Sequence, residues 1–204
     1  MRLLVLDAAL SRCLAALVED GICLAQREAP GPHGQAASLP PLVEALMGEG
    51  FDAIAVGIGP GSFTGLRTAI ALAEGLAAAR GVPLVGVSTG EALAGTFPHP
   101  VWACTENRRG GLFLERFGPG PFAEAPPLSL AEPALPPPST LTWLVGDGAP
   151  RAAARLRARG APVALGAARQ VEALPLAAVA LRRLRGEIPP RAALPLYVDP
   201  AATT

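Results

Sequence analysis

Gly57 to Arg67 reads GIGPGSFTGLR, a turn crowded with glycine between an apolar run and an alanine-rich one. The run before it, Phe51 to Val56 (FDAIAV), has the short, β-branched character of a strand buried on both faces. The run after it, Leu66 to Arg80 (LRTAIALAEGLAAAR), favours helix, and Gly81 supplies the stop. Gly57, Gly59, Gly61 and Gly65 let the backbone turn sharply while Pro60 stiffens the bend, and Ser62 and Thr64 are each placed to cap the helix. Two readings of the loop stand side by side. A strand, a glycine loop and a helix N-terminus together present amide donors to an anion, which makes Gly59, Gly61, Ser62, Thr64 and Gly65 candidates for a nucleotide or phosphate site. A tight strand-to-helix connection also demands glycine when nothing binds there. The spacing is not GxGxxG, and the loop lacks the GK[ST] ending of a P-loop. All seventeen basic residues are arginine, so neither a Schiff-base lysine nor a P-loop lysine is on offer.

Outward from the loop, the elements alternate in a definite order. Leu3 to Leu6 is a short strand ending at Asp7; Arg12 to Val18 and Ile22 to Glu28 form a hairpin turned by Glu19, Asp20 and Gly21. Ser38 to Met47 carries Leu39, Leu42, Val43 and Leu46 at helical spacing. Pro83 to Val87 is another apolar strand and leads into a helix from Ser88 to Ala94. Three strands, helix, strand, helix, strand, helix is one half of the duplicated α/β fold of actin, sugar kinases and heat-shock ATPases, in which a hairpin extends a parallel sheet. A second half opens with a hairpin of Val101 to Thr105 and Leu112 to Phe117. It continues through a proline-dense segment, Pro119 to Pro138, expected to be irregular. Strands at Leu141 to Val145 and Val163 to Leu165 follow, with helices at Arg151 to Arg159 and Leu176 to Arg185. The last helix sets Leu176, Val179, Ala180 and Leu184 on one side and three arginines on the other. The expectation is therefore an N-terminal lobe over 1–98 and a smaller, reduced lobe over 99–204, whose polar end frays.

Size and composition bound the function. A chain of 204 residues with 50% hydrophobic content builds a real core. Seventeen basic residues balance seventeen acidic ones, so no net field draws the molecule to nucleic acid or to an anionic membrane. No apolar run reaches the roughly 20 residues that span a bilayer, and MRLLVLDAAL has too short an apolar core for a secretory signal; a cytoplasmic location is expected. Cys13, Cys23 and Cys104 fall in strands and read as reduced core thiols. His33 and His99 are far apart and there is no CxxC pair, so neither a metal site nor any cofactor is expected.

The run GPGSFTGLR, followed by a helix and then GVPLVGVST, closely resembles the bacterial TsaB (YeaZ) family. LDAALSRCLAAL, ENRRGGLF, VGDGA and LPLY agree with that family in order, so the resemblance covers most of the chain. It implies the actin-like fold and membership of the machinery that places a threonylcarbamoyl group on the adenosine next to the anticodon in transfer RNA. It further implies a non-catalytic subunit that binds a TsaD-like paralogue, is joined by a TsaE-like ATPase, dimerises when alone and meets transfer RNA only through the complex. Catalytic relatives carry an HxxxH metal motif where this chain reads STGEALAG, with no histidine across Ser88 to Ala92. The second-lobe turn commonly reads DARRGE in relatives and ENRRGG here, keeping Arg108 and Arg109. Asp7 is followed by two alanines rather than a glycine, so it is expected to cap a turn.

On this reading recognition is carried by a helical surface. The helices around Leu42 and Ala73 are expected on one side of the sheet, with Leu42, Leu46, Ala69, Leu72, Ala73 and Leu76 facing a helix pair of TsaD or of a second copy. The plainer alternative is alanine tolerated on a surface. Two other functions stay open: a nucleotide-dependent phosphotransferase using Asp7 and Ser62, and a metallopeptidase, which the missing HxxxH disfavours.

Overall fold

The computed structural model describes residues 1–31, 34–95, 97, 100–107, 109–118, 123 and 125–198. Short apolar runs build the first sheet from β1 (Arg2–Asp7), β2 (Arg12–Glu19), β3 (Ile22–Pro30), β4 (Ala53–Gly57) and β5 (Leu84–Val87), in the order β3-β2-β1-β4-β5. The β1–β2–β3 meander is antiparallel, and β1, β4 and β5 run parallel. Because side chains alternate across a strand, Leu3, Val5, Ala53 and Ala55 enter one core, while Leu4, Leu6, Ile54 and Val56 enter another on the opposite face.

The second face is covered by α1 (Gln35–Glu44) and α2 (Phe63–Arg80) through Leu39, Val43, Ala69, Ile70 and Ala73. The first helix starts and ends about a turn earlier than its apolar spacing suggests, and Met47–Glu49 tightens into a 3-10 turn. The first face is covered by α5 (Ala173–Leu184), through Leu176, Ala177, Val179 and Ala180, from the far end of the chain.

The second sheet repeats the plan. It comprises β6 (Val101–Glu106), β7 (Leu112–Phe117), β8 (Leu128–Leu130), β9 (Thr142–Val145) and β10 (Val163–Leu165), ordered β10-β9-β6-β7-β8. Counted from its own first strand, this order equals that of the first sheet, with the same parallel and antiparallel pairings. The molecule therefore has the two-lobed actin-like fold. The reduction of the second lobe lies in strand length, not in the number of strands. The proline-dense segment, expected to be irregular, supplies β8, which pairs with β7 through Leu128–Leu130 between prolines.

One face of the second sheet takes α4 (Ala149–Arg157), via Ala152 and Leu156. The other takes α3 (Thr89–Ala94), via Leu93 and Ala94. The covering helices thus cross the sequence division at 98 and 99. α3 lies before it and packs on the second sheet; α5 lies after it and packs on the first. The C-terminal segment follows α5, with the Gly86 amide donating to Arg191 O at 3.0 Å and the Leu196 amide to Ile58 O at 2.8 Å. Cys13 and Cys104 are buried and Cys23 is partly buried, none of the three in a disulfide.

Candidate functional site

The glycine loop closes by packing. Gly59 has φ +98, and a Cβ on it would lie 2.7 Å from Leu66 Cδ1; a Cβ on Gly61 would lie 2.2 Å from Ala9 O. The loop is pressed onto the turn after β1, where the Ser62 amide donates to Ala9 O at 2.7 Å. Ser62 is the N-cap of α2, its Oγ accepting from the Gly65 amide at 3.2 Å, and the Leu66 amide donates to Ser62 O at 2.9 Å. Three amides at the helix start are thus held inside the protein. Gly65 is buried within the first turn, and Thr64, expected as a second cap, instead lends its carbonyl to Thr68. The loop glycines answer close packing at Ala9 and Leu66, whichever of the two readings holds for ligand binding.

In front of the loop lies a cleft of about 410 Å³ between the two sheets. The first lobe contributes Ser62 and Phe63; the β6–β7 turn and β7 contribute Asn107, Arg109 and Phe113; the C-terminal segment contributes Tyr197. Phe63 and Tyr197 stack with centroids 5.7 Å apart, and Arg67 lies 3.9 Å over the Phe63 ring while donating from Nε to Tyr197 Oη at 2.8 Å. Sequence reasoning missed this aromatic group because Phe63 and Tyr197 are 134 positions apart and neither lies in an aromatic-rich stretch. Of the two arginines at the second-lobe turn, Arg109 is exposed on the cleft, while Arg108 lies outside the described residues, as do His33 and His99.

Asp7 caps the turn after β1, as expected. It accepts from the Ala9 amide at 3.2 Å. It is also 2% exposed, and its Oδ1 has no hydrogen-bond partner among the described residues because that oxygen is tucked against Gly57. Burial pushes its carboxyl up to about 7, against the smaller opposing pulls of the Ala9 amide and Arg12.

The expected helical surface divides in two. α1 and α2 do lie together on one face of the first sheet. Leu46, Ala69 and Ala73, however, are at most 2% exposed and belong to the lobe's own core, since the small alanines let α2 settle directly onto the sheet. They cannot also face a partner. Leu42, Leu72 and Leu76 remain half-buried at the rim, next to exposed Ala71, Gly75 and Ala78.

The stretch standing where catalytic relatives carry HxxxH is packed shut. Ser88 caps α3 and forms a reciprocal box with Glu91, while Ala92 is buried in the core. Among the described residues no cluster of three or more histidine, cysteine or acidic side chains could hold a metal, and no helix is long and apolar enough to cross a membrane.

Residues 36–106 match the family model described as TsaD, tRNA N6-adenosine threonylcarbamoyltransferase. Over 95 residues the chain is 42% identical to the tRNA threonylcarbamoyladenosine biosynthesis protein TsaB of Escherichia coli, an alignment covering 44% of this chain and 41% of that protein. An uncharacterized protein of Mycobacterium tuberculosis is 31% identical over 159 residues, 74% of each chain. The solved structure of YeaZ from Pseudomonas aeruginosa superposes with a TM-score of 0.79 at 29% identity, covering 97% of this chain and 99% of that one.

Proposed function

Because the chain belongs to the TsaB (YeaZ) family, we propose that it is an accessory scaffold subunit for threonylcarbamoylation of the adenosine next to the anticodon in transfer RNA. It acts by binding a TsaD-like catalytic paralogue. The observation that carries this reading is the near-complete superposition on YeaZ, which extends a sequence likeness to TsaB that covers less than half of the E. coli protein. A TsaE-like ATPase joins the pair, transfer RNA is met through the complex in the cytoplasm, and the isolated chain forms a homodimer. A non-catalytic role is supported by the stretch from Ser88 to Ala92, where a buried alanine and a capping serine stand in place of metal-binding histidines.

The contact face is the rim of α1 and α2. Leu42, Leu72 and Leu76 present apolar surface, and Gly75, with nothing within 4 Å of a Cβ placed on it, lets another backbone approach closely. Paralogue and second copy then compete for one face. The test is threonylcarbamoyl-adenosine formation on transfer RNA in a mixture of the catalytic paralogue and the ATPase, with this chain present or omitted. Loss of product on omission is expected; undiminished yield without it rules the role out.

A further inference from the structure

Basic and acidic residues cancel over the whole chain, seventeen against seventeen, but not locally. From Gly148 to Val171 there are five arginines and no aspartate or glutamate. Folding does not restore the balance. Where an arginine is buried the fold supplies an acid: Arg183 of α5 pairs with Glu91 of α3, which also meets Arg191 at 3.3 Å. On α4 the first arginine, Arg151, is matched by Glu106 and Glu132. Beyond it, Arg155, Arg157 and Arg159 are exposed, and among the described residues no carboxylate pairs with any of them.

These three charges occupy a small space on a rigid mount. Residues 155 to 159 advance only about 6 Å along a helix axis, and Ala152, Ala153 and Leu156 hold this end of α4 against the second sheet. Two of the side chains are anchored. Arg159 Nη1 donates to Leu135 O at 2.6 Å, and Arg157 donates from Nε and Nη2 to Val163 O, both at 3.4 Å. The cations thus spread across the end of the helix, from Leu135 on one side to Val163 on the other. A carbonyl fixes a guanidinium without neutralising it, and with five donors each group keeps N–H bonds to offer. The helix dipole answers little of this charge, since its C-terminal end carries roughly half a negative charge against three positive ones.

We infer that the end of α4 is an RNA-backbone contact, in which Arg155, Arg157 and Arg159 bind phosphates of transfer RNA. The choice of RNA rests on the function proposed above and adds to it a contact made by this chain itself. Guanidinium suits phosphate in charge and in geometry. A polyanion meets all three arginines at once, whereas a protein partner would have to crowd several mutually repelling carboxylates against one helix end. Position agrees with this role: α4 covers the second sheet, while the proposed paralogue face lies on helices of the first, so the two partners do not compete. Such a contact positions RNA and reads no sequence.

Fluorescence anisotropy of labelled transfer RNA, titrated with the purified full chain, tests this. Three phosphate contacts release counterions, so affinity should fall about 20- to 40-fold between about 25 and 100 mM salt. Combining Arg155→Gln, Arg157→Gln and Arg159→Gln should weaken binding at least about ten-fold at the lower salt and remove that salt dependence. Lysine at the same three positions should restore both, and neither residue differs much from arginine in helix propensity. No RNA binding by the unaltered chain at the lower salt, or equal affinity of the glutamine variant, overturns the proposal. Loss of paralogue pull-down in that variant with RNA affinity intact would assign the arginines to a protein and overturns it too. Should the triple variant fail to fold, Arg155→Gln alone must lower the slope of log affinity against log salt by about 0.7–0.9, and an unchanged slope counts against the contact. The omission experiment keeps the two readings apart. Product lost on omission with RNA binding indifferent to these substitutions sinks this contact alone; RNA bound at α4 with product undiminished on omission sinks the scaffold role alone.

Discussion

The first sheet, with strands of four to nine residues, is covered on both faces and draws α5 from the far end of the chain; the second, with strands of three to six, repeats the same order under the short helices α3 and α4. One topology is thus furnished in two ways. Both sheets bury apolar cores on their two faces, but β7 of the second also carries the buried Glu115 at the junction. Each lobe also buries one carboxyl held near 7, but Asp7 is wedged against Gly57 with one oxygen unpartnered among the described residues, whereas both oxygens of Glu115 are hydrogen-bonded. Identical strand order therefore does not imply identical sites.

The hardest blow to that contrast is Ala73→Arg. Its guanidinium would enter the apolar core between α2 and the first sheet, and a cost above about 4 kcal/mol is expected. Loss of cooperative thermal unfolding by circular dichroism is the readout; a stable variant would mean that α2 stands off the sheet.

Next in size is Arg183→Met, which leaves Glu91 with Arg191 as its one paired cation among the described residues. Breaking a buried pair costs about 3–5 kcal/mol, the lower end applying here because a second cation remains. Urea denaturation measures it, and a loss below about 1 kcal/mol would return Arg183 to the solvated side of α5.

The two carboxyls sharpen the comparison through pH. Each holds its proton more tightly folded than unfolded, so the folded state carries more protons between about 4 and 7, and stability falls as pH rises through that window. At 1.36 kcal/mol per unit each contributes roughly 2–4 kcal/mol to the fall. Asp7→Asn and Glu115→Gln should each flatten part of it, and denaturation at pH 5, 6, 7 and 8 separates the shares. A wild-type protein that gains stability from pH 5 to 8 contradicts both assignments.

The smallest effect on stability is the most informative about binding. Gly75→Arg replaces an exposed helix-interior glycine and should stabilise the chain by about 0.5–1 kcal/mol while weakening dimerisation and paralogue binding. Analytical ultracentrifugation and pull-down read the two contacts; if both persist unchanged, the rim of α1 and α2 is not the interface.

Much of this was legible in the chain. Short apolar runs marked every strand but β8, and the hairpin turn at Asp20 and Gly21 and the αL stop at Gly81 fell where turn chemistry places them. β8 was illegible because three residues between prolines carry no periodicity; only the free edge of β7 makes them a strand. Helical spacing identified Leu72 and Ala73 as apolar, but it cannot tell which apolar side chain meets the sheet and which the rim.

The sequence alone determined the order of the helices and of every strand but β8, the glycine loop and the family, because those reside in local pattern and in one long motif. Tertiary structure decided which helix covers which sheet, that Arg183 is buried, and that Phe63 meets Tyr197 and Ser88 meets Glu115. These are contacts between residues 27 to 134 positions apart, and their energy comes from burial and charge pairing that no local stretch contains.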